Sequence, residues 1–150
     1  MCIRDRMNGI IDLRNRFVSQ QVYDIYSTCM YMPTWEKFCE QANLLINDDL
    51  VSILGCVHNN NIIGVLVMQK GTQQSAEIKG IAVDFLYRQK GIGRQLIEFV
   101  FQSLKIKSLF AETDDDAILF YRHCGFKIED IVKVYENKEY RRYKCTLEKL

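Results

Sequence analysis

One stretch, Ile81 to Leu96, constrains this chain most. Ile81-Ala82-Val83 reads as the end of a β-strand, and the basic segment Arg88-Gln89-Lys90-Gly91-Ile92-Gly93 follows it. A helix then begins at once, with Leu96, Ile97, Val100, Phe101 and Leu104 on its inner face. Glycines permit close backbone approach and positive φ. A helix N-terminus offers unpaired N–H groups and a partial positive charge. Such a unit binds an anion, most naturally a pyrophosphate, and commits the fold to a sheet flanked by helices.

Three readings of this loop compete. A Walker loop fails because no Gly-Lys-Ser/Thr occurs. A dinucleotide fingerprint has Glu112 at a suitable downstream distance for a ribose contact, but Leu96 stands where the third glycine belongs. The third reading is a solvated surface loop with helix-capping glycines.

The rest of the chain alternates in type. Ile10–Leu13 reads as a short strand and Arg16–Cys29 as a helix on the stripe Phe17, Val22, Ile25 and Tyr26. Pro33 breaks the chain, and Thr34 caps a second helix, Trp35–Ile46, with Trp35, Phe38, Ala42 and Leu45 on one face. Val51–Val57 and Ile62–Met68 form a hairpin around an Asn-rich turn, in which His58 is a turn residue. Ala76–Val83 is a strand with Glu77, Lys79, Ile81 and Val83 on one face and Ile78, Gly80 and Ala82 on the other. Ser108–Glu112 is a strand, and Asp114–Cys124 a helix capped by Asp114, Asp115 and Asp116 and closed by Gly125. Phe126–Val134 and Tyr140–Leu147 are the last strands. The class is α/β (α+β) with a mixed sheet.

Composition narrows the function. The 150 residues, 48 % apolar, make one domain, large enough to fold without a metal or disulfide staple. Lys+Arg 20 against Asp+Glu 19 gives a net charge of +1, so no broad field draws nucleic acid or an anionic membrane. Arg141, Arg142 and Lys144 beside Tyr140 and Tyr143 decorate a terminal strand rather than an RNA platform. The apolar runs are too short to span a membrane and no signal core opens the chain, so a cytoplasmic location is expected. Cys2, Cys29, Cys39, Cys56, Cys124 and Cys145 form no C-x-x-C pair, and with only His58 and His123 no zinc spacing exists; reduced, mostly buried thiols and no metal are expected. Residues 1–6, beginning Met1-Cys2-Ile3-Arg4-Asp5, read as a non-native extension ahead of Met7, with residues 7–150 as the domain.

Two segments together carry a resemblance. Arg88-Gln89-Lys90-Gly91-Ile92-Gly93 matches the Q/R-x-x-G-x-G/A pattern of the GNAT superfamily of N-acetyltransferases. Asp114-Asp115-Asp116-Ala117-Ile118-Leu119-Phe120-Tyr121-Arg122-His123-Cys124-Gly125-Phe126 is similar to that family's N-x-x-A-x-x-F-Y-x-x-x-G-F segment. The order of elements from Ile10 to Leu147 also resembles the family's. The resemblance implies a single GNAT-like domain, with a mixed, mostly antiparallel sheet of about seven strands flanked by about four helices.

It also implies acetyl-CoA as co-substrate. The backbone N–H groups from Gln89 to Arg94 would cradle its pyrophosphate, with added charge from Arg88, Lys90 and Arg94. The pantetheine arm would pair with the Ile81, Ala82 and Val83 strand, and an N–H near Val83 would polarise the thioester carbonyl. Tyr121 matches the position that protonates the departing thiolate, its bland alternative being a packed helix-face aromatic. Asp114 stands where the family usually has an Asn touching the CoA arm; an ionised Asp accepts but does not donate, so it reads first as a helix cap. Glu77 lies at the spacing of a general base in some members, as against a plain surface ion pair, and Glu112 is a second candidate. A covalent route through Cys124 lacks a partnering base, since His123 points to another side of the helix.

The expected activity is acetyl transfer to a primary amine of a small molecule or a protein, by direct attack in a ternary complex. The alternatives are a catalytically inactive acyl-CoA-binding sensor of the same fold and a dinucleotide-binding protein. Acceptor specificity is expected to lie in Tyr23–Ile46 and Val132–Tyr143, with Tyr31, Trp35 and Tyr135 as cleft-lining candidates. The oligomeric state is open in the sequence, with a homodimer as one option because symmetric dimers are the commonest soluble oligomers.

Overall fold

The structure, a computed structural model, describes residues 8–149; the extension expected over residues 1–6 lies outside them. The strands are β1 (Asn8–Asp12), β2 (Val51–His58), β3 (Asn61–Lys70), β4 (Ser75–Val83), β5 (Ser108–Thr113), β6 (Lys127–Tyr135) and β7 (Lys138–Glu148). The α-helices are α1 (Gln20–Tyr26), α2 (Trp35–Ile46), α3 (Ile92–Ser103) and α4 (Ile118–His123). One sheet holds all seven strands in the order β1-β2-β3-β4-β5-β7-β6. Every pairing is antiparallel except β4 with β5.

Helices cover both faces of the central strands, and this is why β2 and β3 are near-continuous apolar runs. On one face α3 and α4 bury Ile92, Leu96, Val100 and Tyr121 against Leu66, Met68, Ile78 and Leu109. On the other face α1 and α2 bury Val22, Tyr26, Phe38 and Ala42 against Val65, Val67 and Ala82. The β2–β3 turn has Asn59 and Asn60 at φ 50 and 67, which the short polar side chains of asparagine tolerate. No helix among the described residues is long and apolar enough to cross a membrane.

Three expectations need correction. The helix expected over Arg16–Cys29 shrinks to α1, with 3₁₀ turns at Arg14–Arg16 and Ser27–Cys29. Ser19 sets the start, its hydroxyl accepting from the Val22 N–H at 3.2 Å. The helix expected over Asp114–Cys124 starts only at Ile118. The Asp114 carboxylate accepts from the Asp116 N–H at 3.1 Å, so the aspartates build a turn, and Ala117 occupies the cap position with no side-chain bond.

The third correction concerns β4. Val67 pairs with Gly80 but Met68 with Ile78, so Lys79 is an extra residue, a β-bulge. The bulge exchanges faces along the strand. Ile78 joins Ile81 and Val83 on the α3/α4 face, while Gly80 and Ala82 face α1. Strict alternation had grouped Ile78 with Gly80 and Ala82.

Candidate active site

The parallel ladder between β4 and β5 is short. Ser75, Ala76 and Glu77 pair with Ser108, Leu109 and Phe110, and beyond them the strands part. The gap opens a cleft of about 1430 Å³, above the roughly 300–1,000 Å³ of a drug-sized pocket. Ile81, Ala82 and Val83 line it from β4, and Glu112 and Thr113 from β5. This stretch of β4 has β3 on one side only, so its other edge offers main-chain groups to the cleft.

The glycine loop closes one end. A 3₁₀ turn, Phe85–Tyr87, is capped by Asp84, whose carboxylate accepts from the Leu86 N–H at 2.9 Å. Arg88 returns to the strand end, donating from Nε to the Val83 carbonyl at 3.2 Å. Gln89 and Gly91 have φ 63 and 81, and Gly91 is the N-cap of α3 without any side chain in the way. The first N–H groups of α3 are therefore open to a ligand. Gly93 lines the cleft and also serves packing: a Cβ there would lie 2.4 Å from the Phe120 ring, so its absence lets α3 meet α4.

The three loop cations differ in placement. Arg88 and Arg94 line the cleft, whereas Lys90 lies over the Tyr87 ring at 5.7 Å and is not part of the lining. Arg94 also donates to the His123 carbonyl at the C-terminus of α4. That contact suits the negative end of the helix and ties α4 to α3.

Tyr121 is fixed by the way α4 ends. Gly125 at φ 90 lets its own N–H reach the Arg122 carbonyl and the Phe126 N–H reach the Tyr121 carbonyl, both at 3.0 Å. Phe126 thereby folds onto the Tyr121 ring, centroids 5.1 Å apart. Tyr121 is 5 % exposed and lines the cleft; burial pushes its hydroxyl pKa well above the ordinary tyrosine value. The phenol stays protonated, as a proton donor must.

Across the gap stands a group that the sequence did not single out. Tyr26, 3 % exposed, packs edge-on against Phe17 at 5.5 Å and places its hydroxyl against Gly80. Burial raises its pKa strongly, with further contributions from Cys29 and Tyr121. Cys29 lines the cleft and donates from Sγ to the Tyr26 carbonyl at 3.2 Å; enclosure pushes its thiol up to about 12, although the residue as a whole is exposed. The available signals were Gly80, a glycine inside an otherwise good strand, and a tyrosine on a core stripe. Of the other described cysteines, Cys56 and Cys145 are buried and Cys39 and Cys124 half-buried, all as free thiols.

The acidic candidates separate. Glu77 pairs with Lys79 at 3.0 Å and does not line the cleft. The bulge nevertheless puts it on the face of β4 that Gly80 presents to Tyr26. Glu112 lines the cleft with Lys133 at 3.4 Å on one oxygen and Arg142 at 3.5 Å on the other. Asp114 lines it too, while Asp115 accepts from the Tyr143 hydroxyl at 2.6 Å. Of the three aromatics expected at an acceptor site, only Tyr31 reaches the cleft. Trp35 packs on Tyr23 and Phe38, each at 5.6 Å, and Tyr135 on Tyr140 at 5.8 Å.

The model of the Acetyltransferase (GNAT) family matches residues 19–126. No curated protein matches the sequence. Solved structures resemble the fold closely. A chimeric spermidine N-acetyltransferase from Vibrio cholerae superposes with a TM-score of 0.71 at 17 % identity, over 95 % of each chain. An Escherichia coli N-acetyltransferase that modifies an alanine of a ribosomal protein gives 0.69 at 20 %, over 95 % of this chain and 94 % of that one. A GNAT family acetyltransferase from Elizabethkingia anophelis, with acetyl-CoA bound, gives 0.67 at 22 %, over 95 % and 98 %. With most of its length matched by the family and its parted strands capped by the matching glycine loop, this chain belongs to the GNAT acetyltransferases.

Proposed function

We propose that this enzyme moves an acetyl group from acetyl-CoA to a primary amine by direct attack within a ternary complex. The observation that carries the reading is the gap between β4 and β5, which has an uncapped helix N-terminus at one end and a buried, protonated tyrosine within it. The N–H groups from Gln89 to Arg94 hold the pyrophosphate, and Arg88 and Arg94 add charge from the cleft wall. The pantetheine amides pair with the open edge of Ile81–Val83 as an added strand would. Asp114, at the mouth of the gap, accepts from the same arm.

The amine enters on the α1 side, past Thr28–Met32. Its nitrogen attacks the thioester carbon, the carbon–sulfur bond breaks, and the thiolate takes the Tyr121 proton. Glu77, on the Gly80 face of β4, removes the amine proton through water, since its carboxylate stands outside the lining.

Calorimetric titration of acetyl-CoA and desulfo-CoA, with NAD as control, tests the donor. Micromolar binding of both CoA species, none of NAD, and loss in Gly91→Glu are expected. A folded protein that binds neither CoA species overturns the reading.

A further inference from the structure

The oxygen that gains negative charge during attack needs hydrogen-bond donors, and the edge of β4 supplies main-chain ones. We propose that the Tyr26 hydroxyl is an additional donor to that acyl oxygen, so that the reacting carbonyl is held between the two helical layers. The inference rests on the acetyl-CoA reading above.

Position comes first. Tyr26 reaches β4 at Gly80, the residue that follows the bulge and precedes the Ile81–Val83 edge. A Cβ on residue 80 would lie 2.3 Å from the hydroxyl oxygen, so any other residue there would displace it. A glycine inside a strand sacrifices packing and backbone order, and at this position its benefit is room for that oxygen.

Chemistry comes second. The ring packs against Phe17 and Phe38 at 5.5 and 6.4 Å, and phenylalanine would fill that space equally well. The hydroxyl makes no hydrogen bond to another described residue. It is not sealed in either, because no fully enclosed side-chain polar atom among the described residues lacks a partner. Tyr26 is not itself part of the cleft lining, but its hydroxyl lies against Gly80, which is, and a ligand oxygen reaching past Gly80 would supply the missing acceptor. Burial keeps the phenol protonated, which leaves it a donor throughout the working pH range.

The test compares acetyl-CoA with CoA, which lacks the acyl oxygen. In Tyr26→Phe, calorimetry should show acetyl-CoA binding weakened by about 2- to 10-fold with CoA unchanged, as for one hydrogen bond. Gly80→Ala, which displaces the hydroxyl without removing it, should give the same selective loss and serves if Tyr26→Phe does not fold. With any amine that is turned over, Tyr26→Phe should lower kcat at saturating acetyl-CoA on the order of 100-fold with the KM for the amine constant. Equal weakening of both ligands, or no change in either, overturns the proposal and leaves the donor assignment standing. Failure of the wild-type chain to bind acetyl-CoA overturns the donor assignment itself.

Discussion

Tyr121 helps raise the pKa of Tyr26 from the opposite side of the sheet: Tyr26 belongs to the α1/α2 layer and packs on the cleft-lining Gly80, whereas Tyr121 belongs to the α3/α4 layer and lines the cleft itself. The relationship exists because the gap removes the sheet that would otherwise separate them. A layer boundary elsewhere in this fold keeps the two cores apart; here it becomes the place where groups from both meet.

Tyr121→Phe separates chemistry from packing. The ring keeps its contacts with Phe120 and Phe126, at 5.2 and 5.1 Å, so the melting temperature should stay within a few degrees. Loss of the proton donor should lower kcat by about 100- to 10,000-fold while calorimetry finds CoA affinity unchanged. A variant with full turnover would make Tyr121 a packing residue only.

Alkaline pH should destabilise the fold earlier than ordinary tyrosines would suggest. Tyr26 and Tyr121 have raised pKa values in the folded state, and the Cys29 thiol is pushed up to about 12. Between the unfolded and folded values the native state binds more protons than the unfolded state, so stability falls as pH rises. The contribution is complete below about pH 8.5, where an unfolded cysteine begins to ionise, and the tyrosines add to the decline above about pH 10. Thermal unfolding followed from pH 8 to 11 should show this decline, and Tyr26→Phe should flatten its upper part.

Much of the fold was legible because periodicity is a local property. Thr34 and the stripe through Phe38 and Ala42 place α2 at Trp35–Ile46, as expected from the sequence. Gly125 and Phe126 likewise announce the end of α4. The bulge at Lys79 was not legible, because it depends on how β4 registers against β3 and leaves no mark on alternation. The site divided in the same way. The glycine loop and Tyr121 sit in contiguous motifs, whereas Tyr26 meets Gly80 only through tertiary packing. Glu77 was placed on the wrong face for the same reason, and the Asp114 turn hid because its carboxylate competes with the helix for nearby N–H groups.

Glu77→Gln tests proton removal from the acceptor. The Glu77–Lys79 pair is roughly one-third exposed on each side, so losing it should change stability by no more than about 1 kcal/mol. At pH 7 nearly all of a simple alkylamine carries a proton, given a pKa near 10.4 for a lysine-like amine. Without a base, kcat/KM should drop at pH 7 and recover about tenfold per pH unit as neutral amine accumulates. A profile parallel to wild type would assign deprotonation to solvent or to Glu112.

Gly91 and Gly93 stand two residues apart and should fail in different ways. Gly91 has φ 81 with open space beside it, so Gly91→Ala suffers only backbone strain of about 1–2 kcal/mol. Its methyl points where no protein atom lies, and the fold should survive with a modest fall in melting temperature. Gly93 has an ordinary helical φ but no space, because its Cβ would lie 2.4 and 2.7 Å from two carbons of the Phe120 ring. Gly93→Ala should cost about 1–3 kcal/mol through overpacking. The strain is relieved by moving Phe120, and with it the neighbouring Tyr121 on the same short helix. Gly93→Ala should therefore lower kcat as well as stability, whereas Gly91→Ala should act on CoA affinity with kcat preserved at saturation. Denaturant unfolding alongside steady-state kinetics on both variants distinguishes the two roles.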